Sequence, residues 1–103
     1  MKKLSGFHEE ISKVLGSSKR VFLLFLLNEQ PMSYTQIKRG FEKNNISAGS
    51  SEIYKHLNVL LKHKYITKKG RFYLVTLRGK KLIENLEEVS NVPAKIPKLE
   101  LVF

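Results

Sequence analysis

The stretch that decides the fold is residues 47–76, SAGSSEIYKHLNVLLKHKYITKKGRFYLVT. It is rich in Lys and Arg and holds a single acid, Glu52, yet it also contains many Ile, Leu, Val, Phe and Tyr residues. A solvated tail lacks such apolar residues, and an ordinary core segment lacks the charge. The stretch therefore predicts a folded segment with one apolar face and one charged face.

The first half of this stretch predicts a helix that Ser50 or Ser51 caps and that ends at about Lys64. Its apolar residues recur at i, i+4, i+7 and i+8 and form one stripe toward a core. Small polar and basic residues occupy the opposite face, with Tyr54 and His56 on the flanks. Such side chains can reach base edges when a helix lies in the major groove of DNA. The apolar stripe is Ile53, Leu57, Leu60 and Leu61, and the polar face is Ser51, Lys55, Asn58 and Lys62.

The second half predicts two strands, over 65–68 and 72–76, which bracket a tight turn at Lys69-Gly70. Glycine suits that turn because it accepts a positive φ. The tip, KKGR at 68–71, places three charges around the glycine. A narrow positive tip fits phosphates or a minor groove.

The rest of the chain predicts three helices before this unit and one after it. The first helix covers 6–15. The second begins at a cap formed by Ser17 or Ser18, runs to Asn28 and is apolar on all sides at 21–27. Ser33 and Gln36 have capping-box spacing for a third helix that ends near Asn44. Thr76 caps a last helix over 77–89, and residues 91–103 form an extended or disordered tail.

This order of elements predicts a mainly α fold with a β-hairpin, namely a winged helix-turn-helix. A chain of 103 residues is one domain, which we place at 1–90 with the tail at 91–103. Two helices across a short turn, followed at once by a hairpin, are typical of this fold.

The charge pattern indicates a polyanionic partner. The net charge is +10 and the pI is about 10. No acid occurs between Glu52 and Glu84, whereas the same interval contains nine Lys or Arg residues. A solvated surface normally intersperses the two signs, so this segregation favours nucleic-acid contact over an incidental basic face. We predict that DNA contacts come from Ser50, Ser51, Tyr54, Lys55, Asn58, Lys62, Lys68, Lys69, Gly70 and Arg71.

Three features of residues 17–89 resemble the small prokaryotic winged-helix transcription regulators of the ArsR, MarR and PadR-like group. The first is SSEIYKHLNVLL at 50–61, which is similar to S-x-x-Y-x-H-L-x-x-L runs in that group. The second is Lys64-Tyr65-Ile66 before the wing. The third is YLVT at 73–76 followed by Gly79, which is similar to the Y-x-L-T-x-x-G entry to the last helix. The Lys- and Ile-rich, Cys-free composition resembles archaeal or archaeal-virus members.

The resemblance implies a sequence-specific binder of double-stranded DNA, with the helix at 50–64 in a major groove and the wing at 68–71 beside it. It also implies a homodimer through the predicted helices at 6–15 and 77–89. Apolar residues in those helices support a dimer independently, although they could instead pack within one chain. These residues are Leu4, Phe7, Ile11 and Leu15 in one helix and Leu82, Leu86 and Val89 in the other.

Several other classes of function find no support in the sequence. The absence of cysteine excludes disulfides and thiolate ligands. His8, His56 and His63 are scattered along the sequence, so we expect them to lie on the surface or to face phosphates. We therefore expect no bound metal and no cofactor. No phosphate loop or catalytic triad pattern is present, so we predict no enzyme activity. The chain lacks a signal peptide and a long apolar run, and it is too short for a separate ligand-binding domain. We therefore expect a cytoplasmic protein without a membrane or small-molecule partner.

Two alternatives remain open. A winged helix can serve as a protein-interaction module of the transcription machinery, with its basic face on an acidic protein. Ser51 and Asn58 favour DNA over that alternative, because interaction modules often lack short polar residues opposite the core. RNA binding would need exposed aromatic rings for base stacking, for which Tyr34, Tyr54 and Tyr73 are candidates.

Overall fold

The computed structural model describes residues 16–90 and, within them, the side chains of 16–86. The predicted helix at 6–15 and the tail at 91–103 lie outside the described residues. The described part is mainly helical with a three-stranded antiparallel sheet of order β1-β3-β2. This arrangement confirms the predicted winged helix-turn-helix. The elements are α1 (Ser18–Glu29), β1 (Met32–Ser33), α2 (Tyr34–Lys43), α3 (Ser50–Lys62), β2 (Ile66–Lys69), β3 (Phe72–Val75) and α4 (Leu77–Ser90).

Helix α1 is the centre of the core. Ser17 caps it by accepting a hydrogen bond from the Arg20 backbone amide. All six residues at 22–27 are buried, as the sequence predicted for a helix that is apolar on every side. The helix packs against α2, α3, α4 and β3, so each of these elements is positioned relative to α1.

Helix α2 begins and ends as predicted. Ser33 and Gln36 form the complete capping box, in which each side chain bonds the other residue's backbone amide. Phe41 is buried and meets Phe22 of α1 edge to face, with ring centroids 5.0 Å apart. After the helix, Asn45 takes a left-handed φ of 58°, which is the conformation that stops helices.

The ends of α3 differ from the prediction. Gly49 is the N-cap, and no side chain caps the helix, so Ser50 and Ser51 are its first two residues. The Ser50 hydroxyl instead accepts a hydrogen bond from the Tyr34 hydroxyl. The helix stops at Lys62 rather than near Lys64, because Lys64 adopts a φ of 63° and turns the chain toward the sheet.

The wing is present with a turn one residue later than predicted. Lys69 pairs with Phe72, which leaves Gly70 and Arg71 as the two turn residues instead of Lys69 and Gly70. Gly70 has a φ of 60° at the first turn position, where two-residue hairpins of type II′ place glycine. The sequence did not predict β1, whose two residues pair Met32 with Tyr73 and Ser33 with Phe72.

Thr76 joins the wing to α4. Its hydroxyl accepts a hydrogen bond from the Gly79 amide, as a helix cap does, and donates one to the Lys64 carbonyl. Its backbone amide donates to the carbonyl of Tyr65. These bonds bring Gly79 against the Tyr65 backbone, where a Cβ atom at Gly79 would overlap the Tyr65 carbonyl oxygen. Close approach of two backbones therefore requires glycine at this position.

We predict that Gly79→Ala destabilises the domain by about 3 kcal/mol, because a methyl group must push α4 away from Tyr65. Gly40→Ala is the matched control, because Gly40 is also a glycine within a helix, α2. There the added methyl meets only the end of the Leu26 side chain, and the helix gains about 1 kcal/mol of propensity from alanine. Urea unfolding should separate the two variants clearly. Equal losses in free energy of unfolding would contradict the close approach at Gly79.

Candidate nucleic-acid interface

Helix α3 has one buried face and one exposed face. Ile53, Leu57 and Leu60 are completely buried in the core, as predicted. The exposed residues follow a single stripe along the opposite side, and most of them line one shallow depression together with Val59. The exposed set is Ser50, Ser51, Tyr54, Lys55, Asn58 and Lys62.

Tyr34, the first residue of α2, clamps the beginning of α3. Its ring stacks on the Tyr54 ring with centroids 4.6 Å apart and planes within 5° of parallel. Its hydroxyl donates a hydrogen bond of 2.7 Å to the Ser50 hydroxyl. One side chain thus holds two residues that lie four positions apart on the exposed side of α3. From the sequence alone, Tyr34 is only a candidate for base stacking on RNA, and its contacts with α3 are not predicted.

A charged network ties α3 to α1. Lys19 forms a 3.0 Å ion pair with Glu52, and Arg20 Nε donates to His56 Nδ1 at 3.4 Å. His56 is only 6% exposed, so the expectation of a surface or phosphate-facing histidine is wrong at this position. Since Nδ1 accepts a hydrogen bond, the proton of the neutral ring lies on Nε2, which is 3.7 Å from Glu52 Oε2.

The network shifts the pKa of two of its members. Burial, together with the positive charge of Arg20, lowers the pKa of His56, and this effect exceeds the opposing attraction of Glu52. The hydrogen bond from Lys19 lowers the pKa of Glu52. At neutral pH the histidine is therefore neutral and the carboxylate is charged. The acid of α3 is paired with a lysine of α1 and adds little negative field to the exposed stripe.

The wing presents its cations at the tip. Lys68, Lys69, Gly70 and Arg71 are all exposed. The Lys68 ammonium nitrogen lies 5.2 Å from the centre of the Tyr73 ring, and the Arg71 guanidinium carbon lies 5.3 Å from that of Phe72. These ring contacts hold two of the charges in place without burying them. Tyr73 itself is buried, so it is a core residue rather than a base-stacking one.

The basic residues of the acid-free interval are on the surface without exception. Arg78 is anchored there by a hydrogen bond of 3.1 Å to the His63 carbonyl and by its position over the Tyr65 ring. The interval thus gives the molecule a set of exposed cations on α3, the wing and the first half of α4, with Lys64 between α3 and the wing. They are Lys55, Lys62, Lys64, Lys68, Lys69, Arg71, Arg78, Lys80 and Lys81.

Within residues 16–90, no group of three or more His, Asp or Glu side chains is placed to hold a metal ion. None of the helices in that range is long and apolar enough to cross a membrane.

Comparison with known proteins finds a relative of similar length. The chain is 29% identical over 91 residues to an uncharacterized HTH-type transcriptional regulator of Methanocaldococcus jannaschii. The match covers 84% of this chain and 86% of that protein. No family model matches the sequence, and no solved structure matches it. The similarity supports a helix-turn-helix regulator in general and does not single out the ArsR, MarR or PadR-like group.

The lowered pKa of His56 predicts that acid destabilises the protein. The unfolded chain binds a proton as the pH falls through about 6.5, whereas the buried ring resists protonation until a lower pH. The melting temperature should therefore decline as the pH falls from 7.5 to 5.5. His56→Gln should flatten that decline, because glutamine does not titrate.

Glu52→Gln provides the control for this prediction. It removes a carboxylate that favours protonated His56, so the pKa of His56 should fall further. The decline in melting temperature should therefore extend to a lower pH than in the wild type. Glu52 itself contributes stability above its ordinary pKa of 4.5 that is lost as the pH falls through its lowered folded value. An unchanged decline in His56→Gln would show that His56 is not the titrating group.

Proposed function

We propose that this protein is a transcription regulator that binds specific sequences of double-stranded DNA, with α3 in the major groove. The observation that carries the proposal is the exposed stripe of α3, which combines short polar and basic side chains on a helix whose other face is locked into the core. The relative in Methanocaldococcus jannaschii, named as an HTH-type transcriptional regulator, supports the same class of function.

The stripe offers side chains for both kinds of contact that DNA recognition requires, namely contacts to base edges and contacts to the phosphate backbone. Asn58 can pair bidentately with adenine, and Lys55 can reach a guanine or a phosphate. Ser51 can donate or accept at a base edge, while Ser50 and Lys62 stand near the two ends of the helix, where the backbone strands pass. We assign Tyr54 an apolar contact within the groove.

The wing has a different role in this proposal. Lys68, Lys69 and Arg71 surround Gly70 at a narrow, exposed tip, so they fit phosphates or the adjoining minor groove. Contacts to the backbone carry no direct sequence information. The wing therefore sets affinity and orientation, whereas α3 sets sequence preference.

We also propose a homodimer, with recognition helices about 34 Å apart on a palindromic site. Part of the apolar surface predicted for the dimer is used within one chain instead. Leu82 is buried against the core of the same chain and is not spare surface. Leu86 is half-buried against that core as well. The proposal therefore relies on the resemblance and on the apolar residues whose side chains lie outside the described range, namely Leu4, Phe7, Ile11, Leu15 and Val89.

An interaction module that binds an acidic protein is the second candidate. Leu77 favours it, because this large apolar side chain is 71% exposed at the beginning of α4 beside the basic residues Arg78 and Lys80. Covering such a large exposed apolar side chain with a protein partner would remove its apolar surface from water, which is favourable. Affinity for duplex DNA decides between the two candidates.

Titration of labelled duplex DNA by fluorescence anisotropy tests the proposal. Binding to a selected sequence should be micromolar or tighter, and the logarithm of the association constant should fall steeply with the logarithm of the salt concentration. Selection from a random pool supplies the sequence, and its shuffled version is the control. Absence of binding even at low salt would refute the DNA-binding function.

Substitutions should separate the two parts of the interface. Lys55→Ala and Asn58→Ala should each cost about 1–3 kcal/mol on the selected site and little on shuffled DNA. Lys69→Ala and Arg71→Ala should weaken all duplexes alike and reduce the salt slope by about 1 each.

Lys43→Ala is the matched control for charge. Lys43 ends α2, about 14 Å along the helix from Tyr34, which contacts α3. Its removal should leave affinity and salt slope nearly unchanged. If the wing variants behave like Lys43→Ala, the wing does not contact DNA.

A further inference from the structure

The exposed side of α3 contains apolar surface that the polar contacts above do not use. The depression along this side is lined mostly by apolar atoms, although Lys55 and Lys62 are among the residues that line it. Tyr54 is 44% exposed, and Val59 is half-buried. Five residues at 100° each place these two side chains about 140° apart, one on either flank of the stripe.

Tyr54 is fixed before any ligand arrives. Tyr34 covers one face of its ring in a parallel stack and is itself bonded to Ser50. The ring therefore loses little conformational freedom when its open surface is covered. Val59 is stiff for another reason, since a β-branched residue in a helix strongly prefers one rotamer. The two flanks of the stripe are thus rigid apolar side chains, Tyr54 and Val59, which we call the two walls of the depression.

The surrounding charge restricts what can cover these walls. Lys55 and Lys62 lie in the same depression, and the neighbouring cations of the wing add to its positive field. A polyanion is attracted to such a surface, whereas an uncharged apolar partner would have to desolvate the lysines. In the major groove of DNA, the apolar group at the base edges is the 5-methyl group of thymine.

We infer that Tyr54 and Val59 contact thymine 5-methyl groups and thereby favour A·T pairs at defined positions of the bound site. The inference rests on the proposed function and adds a specific chemical group to it. Tyr34 acts as a positioning residue, because it holds the Tyr54 ring and does not itself need to meet a base.

Replacement of thymine by deoxyuridine tests this directly, because it removes the methyl group and keeps the base pair and its hydrogen bonds. In the selected duplex, each thymine is replaced in turn, and binding of the full-length protein is measured at one salt concentration. Loss of a buried methyl contact, at about 0.8 kcal/mol, corresponds to a roughly fourfold weaker affinity. We expect this loss at one or more positions, with no change in salt slope.

Variants assign the effect to the two walls. We call the loss of affinity on replacing one thymine by deoxyuridine the deoxyuridine penalty. In Tyr54→Ala and in Val59→Ala, this penalty should disappear at one position, since the side chain that contacts the methyl group is gone. Tyr54→Phe retains the ring and should retain the penalty. Val59→Thr keeps the shape but replaces a methyl by a hydroxyl, so it should reduce the penalty even if Val59→Ala proves unstable.

Tyr34→Phe and Tyr34→Leu separate positioning from stability. Tyr34→Phe keeps the stack, and the deoxyuridine penalty should persist. Tyr34→Leu removes the stack, and the penalty assigned to Tyr54 should shrink while the one assigned to Val59 stays. A melting temperature for each variant shows whether a loss reflects unfolding instead.

The outcomes distinguish this inference from the proposed function. If the protein binds a selected duplex but deoxyuridine has no effect at any position, the methyl contacts are wrong and DNA binding stands. Selected sites that contain no thymine would overturn the inference equally. If no duplex is bound at low salt, the proposed function fails and the inference fails with it.

Discussion

The structure depends on the burial of the central part of one helix, α1. Six consecutive residues of α1, at 22–27, are inside, so α1 must be surrounded on all sides by other elements. It packs against α2, α3, β3 and α4, which leaves each of these with one face toward α1 and another toward solvent. The orientation of the exposed stripe on α3 is therefore a consequence of how α1 is covered.

Two kinds of interaction then fix α3 more finely than apolar packing alone does. Packing is tolerant of small rotations of a helix about its own axis, because apolar contacts have no direction. Hydrogen bonds and ion pairs are directional. The Lys19–Glu52 pair and the Arg20–His56 bond hold one side of α3, and Tyr34 holds Ser50 and Tyr54 on another. A helix that must present base-contacting groups in a defined register benefits from such constraints on its rotation.

The sequence predicted those features that depend on local chemistry. The capping box at Ser33, the buried α1, the stripe of α3 and a glycine at the wing tip each follow from residues within a few positions of one another. The features that it failed to predict depend on distant partners. Arg20 and His56 are 36 residues apart, and β1 is a strand only because β3 lies beside it. The N-cap of α3 shows the same limit. Serine is a preferred N-cap residue, but the Ser50 hydroxyl accepts a hydrogen bond from Tyr34, and Gly49 takes the N-cap position.

The proposed DNA interface combines a general attraction with a local selection, and the two have different structural requirements. The attraction comes from exposed cations whose exact positions matter little, because charges act over a Debye length of about 8–10 Å in physiological salt. Selection among base pairs needs hydrogen bonds and close apolar contacts to the base edges, and rigid groups provide such contacts more reproducibly than flexible ones. In this protein the flexible side chains of Lys55 and Lys62 lie on the exposed stripe, whereas the rigid side chains of Tyr54 and Val59 lie on its flanks. Rigidity on α3 derives from Tyr34 and the core. In the proposed DNA interface, specificity is therefore a property of the whole fold, while the general attraction is carried by side chains on its surface.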